Sequence, residues 1–310
     1  MLVLMPIFEA DLEPEQYGYR PERSAKDAVR RVHHLLHKGR NQVVDADLAN
    51  YFGEIPHAEL MRSIARRVSD GRMLGLVKAW LEMPVVEEDG GGGTRRTNRA
   101  RRERKGTPRG APISPLLSNI HMRRFILGWK ELGHARRFGA EIVNHADDFC
   151  VLGKAPAAEM RAAVCRLMER LKLPVNARRT RCLRCPEEPL EFLGYRIGWN
   201  YRPKDGSRCI GTRPSKASVQ SICRRISEQT DYRHGWLEAE EVVGRLNRMM
   251  SGWANYFDLG RVGPAYRAVD RHAVGRLRQW FCRKHKARSG GACAFPTRGC
   301  GSTTALRAWG

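Results

Sequence analysis

The chain has 310 residues, 42% of them hydrophobic, which is enough for two domains with apolar cores and excludes wholesale disorder. Its 56 lysines and arginines outnumber 33 acids, and the net charge of +23 favours a polyanionic partner, most often nucleic acid, although ribosomal and membrane-surface proteins share this feature. Because the sequence shows no run of about 18 apolar residues, no signal peptide and no disulfide framework, we expect a cytoplasmic protein without membrane association.

The first part of the chain combines predicted helices with one acidic strand. Ser24 is typical of a helix N-cap, and Asp27, three residues later, completes a capping box. Residues 42–48 have the pattern of a buried strand that carries two aspartates. Apolar residues at helical spacing predict further helices over 57–69 and 71–83.

A polar stretch over 87–105 follows, and its second half, from Arg95 onward, holds seven basic residues and one acid. Such a run is more often a mobile solvated loop than a site, but its charge also suits it to phosphate groups. The next predicted element is a long helix over 114–132, which Ser114 would cap with Pro115 at the first helical position.

The rest of the chain changes from mixed to helical near residue 212, where we place a domain boundary. The predicted elements, in chain order, are two short strands within 141–152, an amphipathic helix over 156–173, a strand over 190–197, a hairpin over 201–210, and helices over 215–229, 238–257 and 264–285.

Three separated segments carry groups that could act together. Asp47 ends the buried strand, with the aromatic Phe52 five residues further on. A loop rich in glycine and proline lies within 106–117, and Asp147 and Asp148 lie in a tight turn between apolar strands. Carboxylates gathered at strand ends are unfavourable without a cation, and hard oxygen ligands select Mg²⁺. Two such ions about 4 Å apart can stabilise both the attacking and the leaving oxygen of a phosphoryl transfer.

Each of these segments is a weak signal by itself. An isolated pair of aspartates is usually a turn or a solvated surface. Alternation along the strand puts Asp45 and Asp47 on the same face, so the strand pattern cannot choose between them. The ordered combination, with the loop between the acids, is far more specific.

From about residue 6 to about residue 286 the sequence resembles the group II intron reverse transcriptases and maturases. The segments that carry the resemblance are Tyr17-Gly18-Tyr19-Arg20-Pro21 (family FGFRP), Gly106-Thr107-Pro108-Arg109-Gly110 with residues 113–119 (family GTPQG and SPLLAN), Asn144-His145-Ala146-Asp147-Asp148 (family RYADD), Phe192-Leu193-Gly194-Tyr195 (family FLGY) and Gly252-Trp253-Ala254-Asn255-Tyr256-Phe257 (family GWANYF). Chance agreement across five ordered motifs is not credible.

The resemblance implies an α+β fold of the right-hand polymerase type. A palm with partial fingers would occupy residues 1–212, and a helical thumb or maturase domain would occupy residues 213–286. The last segment, 287–310, is rich in Gly, Cys and Thr and is expected to be an irregular tail.

The resemblance also implies roles for individual residues. Asp47, Asp147 and Asp148 would be the catalytic ligands of two Mg²⁺ ions, with Asp47 preferred to Asp45 because of its spacing to Phe52. Phe52 would be the steric gate against a ribonucleotide 2′-hydroxyl, or else a plain core aromatic. The other positions implied to contact nucleotide or template are Gly106, Pro108, Arg109 and Gly110. The candidates for RNA binding are Arg20, Arg95, Arg96, Arg101, Arg102 and Lys105.

The sequence departs from the family pattern at several points. Arg109 stands where the family has Gln, His145 where it has Tyr, and Gly53 where it often has an acid. The family carries roughly 60–80 further residues before this start, a span comparable to a small domain, so basic ligands of the triphosphate are expected to be missing. The composition after residue 286 resembles translation in a shifted frame.

We therefore expect an RNA-directed DNA polymerase that also binds intron RNA. Its expected partners are an RNA template, the RNA–DNA duplex, group II intron RNA and deoxynucleoside triphosphates, with Mg²⁺ as cofactor. Two alternatives remain open from the sequence: a catalytically impaired maturase that binds intron RNA without polymerising, and an inert relic.

Overall fold

A computed structural model describes residues 3–88, 94–97, 99–108, 110–176, 178–202 and 205–284. The chain divides between Leu190 and Glu191 into two compact units. None of the described helices combines the length and the apolar character that crossing a membrane requires.

The first unit is a mixed helix and sheet structure, as expected for a palm. Its described helices are α1 (Leu4–Glu9), α2 (Ala25–His37), α3 (Tyr51–Glu54), α4 (His57–Ala65), α5 (Gly71–Leu81), α6 (Arg99–Glu103), α7 (Ser114–Glu131), α8 (His134–Arg137) and α9 (Ala157–Arg170). Its described strands are β1 (Gln42–Asp47), β2 (Val85–Glu88), β3 (Thr94–Thr97), β4 (Glu141–His145), β5 (Asp148–Gly153) and β6 (Arg181–Arg184).

One antiparallel sheet organises this unit, with the strand order β4-β5-β1-β6. Strand β1 lies between β5 and β6; it pairs with β5 over its whole length and with β6 from Gln42 to Asp45. Its valines Val43 and Val44 are fully buried, as expected for β-branched residues in a central strand. A strand fixed on both edges has little freedom to slip, which also fixes the acid at its end.

Helix α7 forms much of the core beside the sheet. It contacts α4, α8 and α9, and it buries residues on most of its circumference, which is typical of a helix enclosed by other elements. The ring of Phe125 lies 6.3 Å from that of Trp129 and 5.2 Å from that of Phe149 on β5. These contacts tie α7 to the strand that begins with Asp148.

The second unit contains a small sheet and a group of helices. Its described elements are β7 (Leu190–Phe192), β8 (Tyr195–Tyr201), β9 (Arg208–Pro214), α10 (Lys216–Gln229), a short 3₁₀ helix (Tyr232–His234), α11 (Ala239–Tyr256) and α12 (Gly263–Lys284). The three helices share an apolar core that includes Ile226, Leu246 and Trp280. The predicted hairpin is confirmed, and its β8–β9 pairing extends from Tyr195 to Pro214.

The division between the units falls earlier than residue 212. Strands β7 to β9 group with the helices that follow them because their side chains pack there. The ring of Tyr195 lies 5.0 Å from that of Phe257, and its hydroxyl donates to the backbone carbonyl of Tyr256. Arg261 also donates its backbone N–H to the carbonyl of Thr212, at 2.9 Å.

Two local predictions are corrected by the structure. Ser114 lies inside the first turn of α7 and does not cap it; its hydroxyl donates to the carbonyl of Pro108 at 2.6 Å, while Ile113 occupies the N-cap position. The strand predicted over 190–197 is interrupted, because Leu193 and Gly194 have positive φ angles of 50° and 77°. At Gly194 a Cβ atom would lie 3.0 Å from the Phe257 ring.

The basic stretch over 87–105 is not a loop throughout. Strands β2 and β3 pair antiparallel within it, and α6 follows. Part of this basic stretch therefore has regular backbone structure.

We expect Ser24→Ala to lower the free energy of unfolding by about 1 kcal/mol. Ser24 accepts the backbone N–H of Asp27, and Asp27 accepts the backbone N–H of Ser24, so the substitution leaves an N-terminal donor of α2 without its partner. Urea unfolding followed by circular dichroism measures this change. Ser63→Ala is the matched control, since its hydroxyl bonds only to the Glu59 carbonyl inside α4. Equal effects of both substitutions would contradict the capping role.

Candidate active site

A tight turn between β4 and β5 carries two of the predicted acids. His145 and Asp148 are cross-strand partners, so the turn consists of Ala146 and Asp147 alone. Ala146 has a φ of 60°, in the left-handed region that a two-residue hairpin turn requires. Residues 145–148 are called the aspartate turn below. The predicted strand–turn–strand arrangement is confirmed.

The register of the sheet brings the third acid to the same place. Asp47 is the last residue of β1, and its cross-strand partner on β5 is Asp148. Asp45, two residues earlier, instead receives a hydrogen bond of 2.7 Å from Arg181 on β6. Alternation alone could not choose between Asp45 and Asp47, but the structure gives them different surroundings.

An open cavity of about 840 Å³ lies beside these acids. Asp47, Asp147, Phe52 and Gly110 all line it, so the structure brings together residues from all three sequence segments. The other lining residues are Tyr19, Leu48, Ala49, Asn50, Tyr51, Ala111, Pro112, Ser114, Pro115, Asn176 and Arg179. The size is that of a small-ligand or cofactor site.

Two residues of this site were missed by the sequence reasoning. Asn176 donates from Nδ2 to the Asp47 carboxylate at 3.2 Å, and its backbone N–H donates to the Asp47 carbonyl at 2.9 Å. Arg179, whose side chain is 75% exposed, lies 3.7 Å from the same carboxylate. Both follow α9 in a segment without a recognisable motif, so only the fold reveals their proximity to Asp47.

The crowding of carboxylates changes how Asp148 titrates. Loss of surrounding water, and then the negative charges of Asp147, Asp47 and Asp45, raise the pKa of Asp148 to about 6. By surface area, however, Asp148 is an exposed residue, so solvent screens part of this effect. Burial likewise lowers the pKa of His145, which favours a neutral imidazole beside the turn. Burial, together with the charge of Asp147, raises the pKa of Tyr51.

The donor set fits a hard divalent cation. Carboxylate oxygens are the ligands that Mg²⁺ prefers, and a bound cation would offset both the burial and the neighbouring negative charges that raise the pKa of Asp148. Among the residues that the structure describes, however, no group of three or more His, Cys, Asp or Glu side chains has the arrangement of a ready-made metal site. The acids are therefore neighbours with suitable chemistry rather than a preformed cage.

The predicted glycine-rich loop lies against the turn that follows β1. Gly106 has a φ of 93°, and its N–H donates to the carbonyl of Ile55 at 2.8 Å. A Cβ atom at Gly106 would lie 3.1 Å from the carbonyl oxygen of Gly53, so a side chain would push the two segments apart. Thr107 donates its N–H to the carbonyl of Phe52 at 2.7 Å, which joins the loop to the aromatic residue.

The other residues predicted for this loop differ in their surroundings. Gly110 lines the cavity with a φ of 80°. Pro108 lies outside the cavity lining, and its carbonyl accepts the Ser114 hydroxyl. Arg109 lies outside the described residues. Gly53, where the family often has an acid, would with a Cβ atom meet the Asn50 side chain at 2.3 Å.

Phe52 meets both of the descriptions that the sequence left open. It is half-buried and packs against the core of the first unit, as a core aromatic would. It also lines the cavity, and its ring centroid lies 5.6 Å from that of the buried Tyr51. An aromatic ring that packs against the core on one side and faces the cavity on the other can form a wall for a ligand.

The basic candidates divide into paired and exposed side chains. Arg20 is 7% exposed and bonds to Glu9 and to two backbone carbonyls, which favours a structural role. Lys105 forms ion pairs with Glu54 at 2.8 Å and with Glu103 at 3.5 Å. Arg101 and Arg102 are exposed on α6. The side chains of Arg95 and Arg96 lie outside the described part of the chain.

Two family models match the chain in succession. Residues 1–197 match the model described as reverse transcriptase (RNA-dependent DNA polymerase). Residues 219–293 match the model described as the maturase-specific domain of group II introns. The first match alone covers more than half of the chain.

Individual relatives match shorter segments. Protein YkfC of Escherichia coli K12 is 36% identical over 129 residues, which cover 40% of this chain and 32% of that protein. The group II intron-encoded protein LtrA of Lactococcus lactis subsp. cremoris is 27% identical over 132 residues, 42% of this chain and 20% of LtrA. The matched segments thus span less than a third of these relatives.

Among solved structures, the chain is similar to apo telomerase from Candida tropicalis, with a TM-score of 0.47 and 9% identity, over 90% of this chain and 54% of that one. Telomerase from Candida albicans in complex with a telomeric RNA fragment gives a TM-score of 0.45 and 10% identity, over 86% and 51% of the two chains. Likeness at this distance assigns no function.

We expect Asp148→Asn to stabilise the chain in the absence of divalent cations. The pKa of Asp148 is raised from 3.8 to about 6, so the folded state loses stability as the pH rises through this interval, and the loss is complete above it. After allowance for solvent screening, the gain should be on the order of 1 kcal/mol near pH 7.5 and should vanish near pH 4.

Urea unfolding in EDTA measures this gain. Glu169→Gln, at an exposed position of α9, is the control and should not stabilise a chain that is already basic. An Asp148→Asn chain that is no more stable than this control near pH 7.5 would contradict a destabilising carboxylate at this position, whether through burial or through repulsion among the acids.

Proposed function

We propose that this chain, which belongs to the family of group II intron reverse transcriptases and maturases, synthesises DNA on an RNA template. Residues 1–197 match the reverse transcriptase model, and the proposed activity resides in this segment. The observation that carries the proposal is the register of the sheet, which makes Asp47 the cross-strand partner of Asp148 and puts Asp147 in the adjoining turn.

The three acids would hold Mg²⁺, which when bound neutralises charge on the transferred phosphates and makes the primer hydroxyl a better nucleophile. The protein's own contribution is to hold these carboxylates in place before the cation arrives. Asn176 orients Asp47 through its side chain and backbone, and the sheet fixes the spacing between Asp47 and Asp148. Fixed ligands reduce the reorganisation that the reaction would otherwise require.

The cavity beside the acids would receive the deoxynucleoside triphosphate and the template base. Phe52 forms part of its wall and would exclude a ribonucleotide 2′-hydroxyl by contact. Gly110 lets the backbone approach the substrate closely. Arg179 is the one cation among the described lining residues, and its exposed guanidinium is available to a phosphate group.

Primer extension on an RNA template with Mg²⁺ tests the polymerase proposal. Asp47→Ala and Asp147→Ala should each lower the rate by about 100-fold or more, because each removes a charge that the transition state requires. Asp45→Asn is a matched control on the same strand: its carboxylate is bound by Arg181 and lies outside the cavity lining, so the rate should stay within about two-fold of the parent chain.

Two outcomes would contradict this proposal. One is a parent chain that extends no primer although it is folded. The other is an Asp147→Ala chain that extends primers as fast as Asp45→Asn, which would show that the aspartate turn takes no part in the reaction.

A second function, RNA binding in support of intron folding, is favoured by the second unit. Residues 219–293 match the maturase-specific model. Over residues 191–284 the sequence has 18 lysines and arginines against nine acids. Such an excess attracts RNA through phosphate contacts and the release of counterions. Intron RNA is the proposed partner, and catalysis is not needed for this role.

We expect intron RNA to bind this chain with a strong dependence on salt. The dissociation constant should rise about ten-fold or more between roughly 50 and 200 mM KCl, because the contacts are mainly to phosphates. Filter binding measures it, with Asp147→Asn as the control that should bind equally well. Affinity that is insensitive to salt, or that is lost in Asp147→Asn, would contradict an RNA-binding role independent of polymerisation.

A further inference from the structure

A buried polar network connects the segment before α2 to helix α7. The side chains of Gln16 and Asn119 are only 0% and 2% exposed. Gln16 donates from Nε2 to the Asn119 carbonyl at 2.9 Å and accepts the backbone N–H of Glu13 at 3.1 Å. Asn119 donates from Nδ2 to the Gly18 carbonyl at 2.8 Å. Buried amides are costly unless they are paired, so these bonds fix residues 16–18 against α7.

The same segment is bonded to strand β4, immediately before the aspartate turn. Tyr17 donates its N–H to the Asn144 carbonyl at 2.8 Å, and Asn144 donates its N–H to the Glu15 carbonyl at 2.9 Å. The fully buried side chain of Asn144 then donates from Nδ2 to the carbonyl of Ala146 at 2.8 Å. One asparagine therefore joins the segment to the turn itself.

Gly18 lies in direct contact with the backbone of the aspartate turn. A Cβ atom at this position would lie 2.5 Å from the backbone nitrogen of Ala146 and 3.0 Å from the carbonyl carbon of His145. Glycine is therefore required at this position, because any side chain would clash with the backbone of the aspartate turn. Ala146, on the other side of the contact, holds a φ of 60°, which is about 1–2 kcal/mol unfavourable for a residue other than glycine.

Two factors thus favour displacement of the aspartate turn, and one set of contacts opposes it. Its left-handed residue is strained, and its two aspartates repel each other and Asp47. The buried network opposes movement through the Asn144 bond to the Ala146 carbonyl and the contact of Gly18 with the backbone of Ala146. From these contacts we propose that Gln16, Gly18 and Asn119 are positioning residues, which act through Asn144 and Ala146 to set the place of Asp147 and Asp148 relative to Asp47.

The effect of this positioning on catalysis rests on the proposed polymerase function. The test of the positioning itself does not, because cation binding can be measured without polymerisation. The acids are proposed ligands of a divalent cation, so displacing the turn should weaken cation binding even where no DNA is made. Partners that orient the ligands of a metal typically change its affinity by about 10–100-fold when they are replaced.

Two substitutions in the full chain disturb the network at different points. Asn119→Asp is isosteric, but it replaces the Nδ2 donor with an oxygen that faces the Gly18 carbonyl. Gly18→Ala inserts a methyl group where the turn lies. Their matched controls are Ser118→Ala, which removes a bond to the Pro115 carbonyl within α7, and Gly75→Ala, where nothing lies within 4 Å of the new methyl.

Three measurements separate positioning from a general loss of structure. Terbium chloride, as a luminescent probe, should bind Asn119→Asp and Gly18→Ala about ten-fold more weakly than the controls. Hydrogen exchange of the backbone amides in the aspartate turn should be faster in these two variants while exchange in α10 to α12 is unchanged. In primer extension, the Mg²⁺ concentration that gives half the maximal rate should rise about ten-fold with little change in the KM for nucleotide.

The proposal is overturned if both variants match their controls in terbium affinity and in exchange of the turn. Should Gly18→Ala fail to fold, Gln16→Met is the milder substitution, since it removes the bonds to Asn119 and Glu13 without adding bulk or charge beside the turn. The proposal is then overturned if Gln16→Met and Asn119→Asp both leave the terbium affinity and the hydrogen exchange of the aspartate turn unchanged.

A failure of the proposed function would give a different result. If the parent chain makes no DNA while terbium binding falls in the variants, the polymerase proposal fails and the positioning role stands. If the parent chain makes DNA and the variants bind terbium like their controls, the positioning role fails alone.

Discussion

The antiparallel pairing of β1 with β5 is the constraint on which the site depends. Backbone hydrogen bonds set the register, and the register makes Asp47 the partner of Asp148. A shift by one residue would turn every side chain of β1 to the other face of the sheet. Val43 and Val44 face opposite sides of β1 and are both fully buried, so such a shift would disturb the packing on both faces of the sheet. Apolar burial therefore determines where the charged residues meet.

In this arrangement, the repulsion among the aspartates is opposed by the packing and hydrogen bonds of the first unit. Three aspartates are held together although they repel, and burial together with the neighbouring charges raises the pKa of Asp148. The surrounding structure opposes this repulsion through the pairing of β1 with its neighbours, the Asn176 bonds to Asp47, and the contact of Gly18 with the aspartate turn. Functional sites are commonly where such strain is kept. A chain with a net charge of +23 also tolerates a concentration of acids better than a neutral one would.

Much of the local structure could be predicted because it depends on neighbours in sequence. The capping box at Ser24, the strand ending at Asp47 and the strand–turn–strand around Asp147 all formed as the residue pattern indicates. Predictions that ignored distant partners were less accurate. Ser114 looks like a cap in sequence, yet its hydroxyl bonds to Pro108 inside the folded loop. The strand predicted over 190–197 is interrupted where Leu193 and Gly194 have positive φ angles, and the Phe257 ring, far along the chain, lies against Gly194.

The sequence by itself determined the family, the α+β character of the first unit, the helical character of the second, and the acids of the candidate site. Ordered motifs and hydrophobic periodicity carry this information, and both are properties of the chain as written. Only the tertiary structure gave Asp45 and Asp47 different partners, brought Asn176 and Arg179 to the cavity, and paired Arg20 with Glu9. These outcomes depend on strand register and on contacts between residues more than ten positions apart. No local pattern specifies such contacts, because they form only when the whole unit packs.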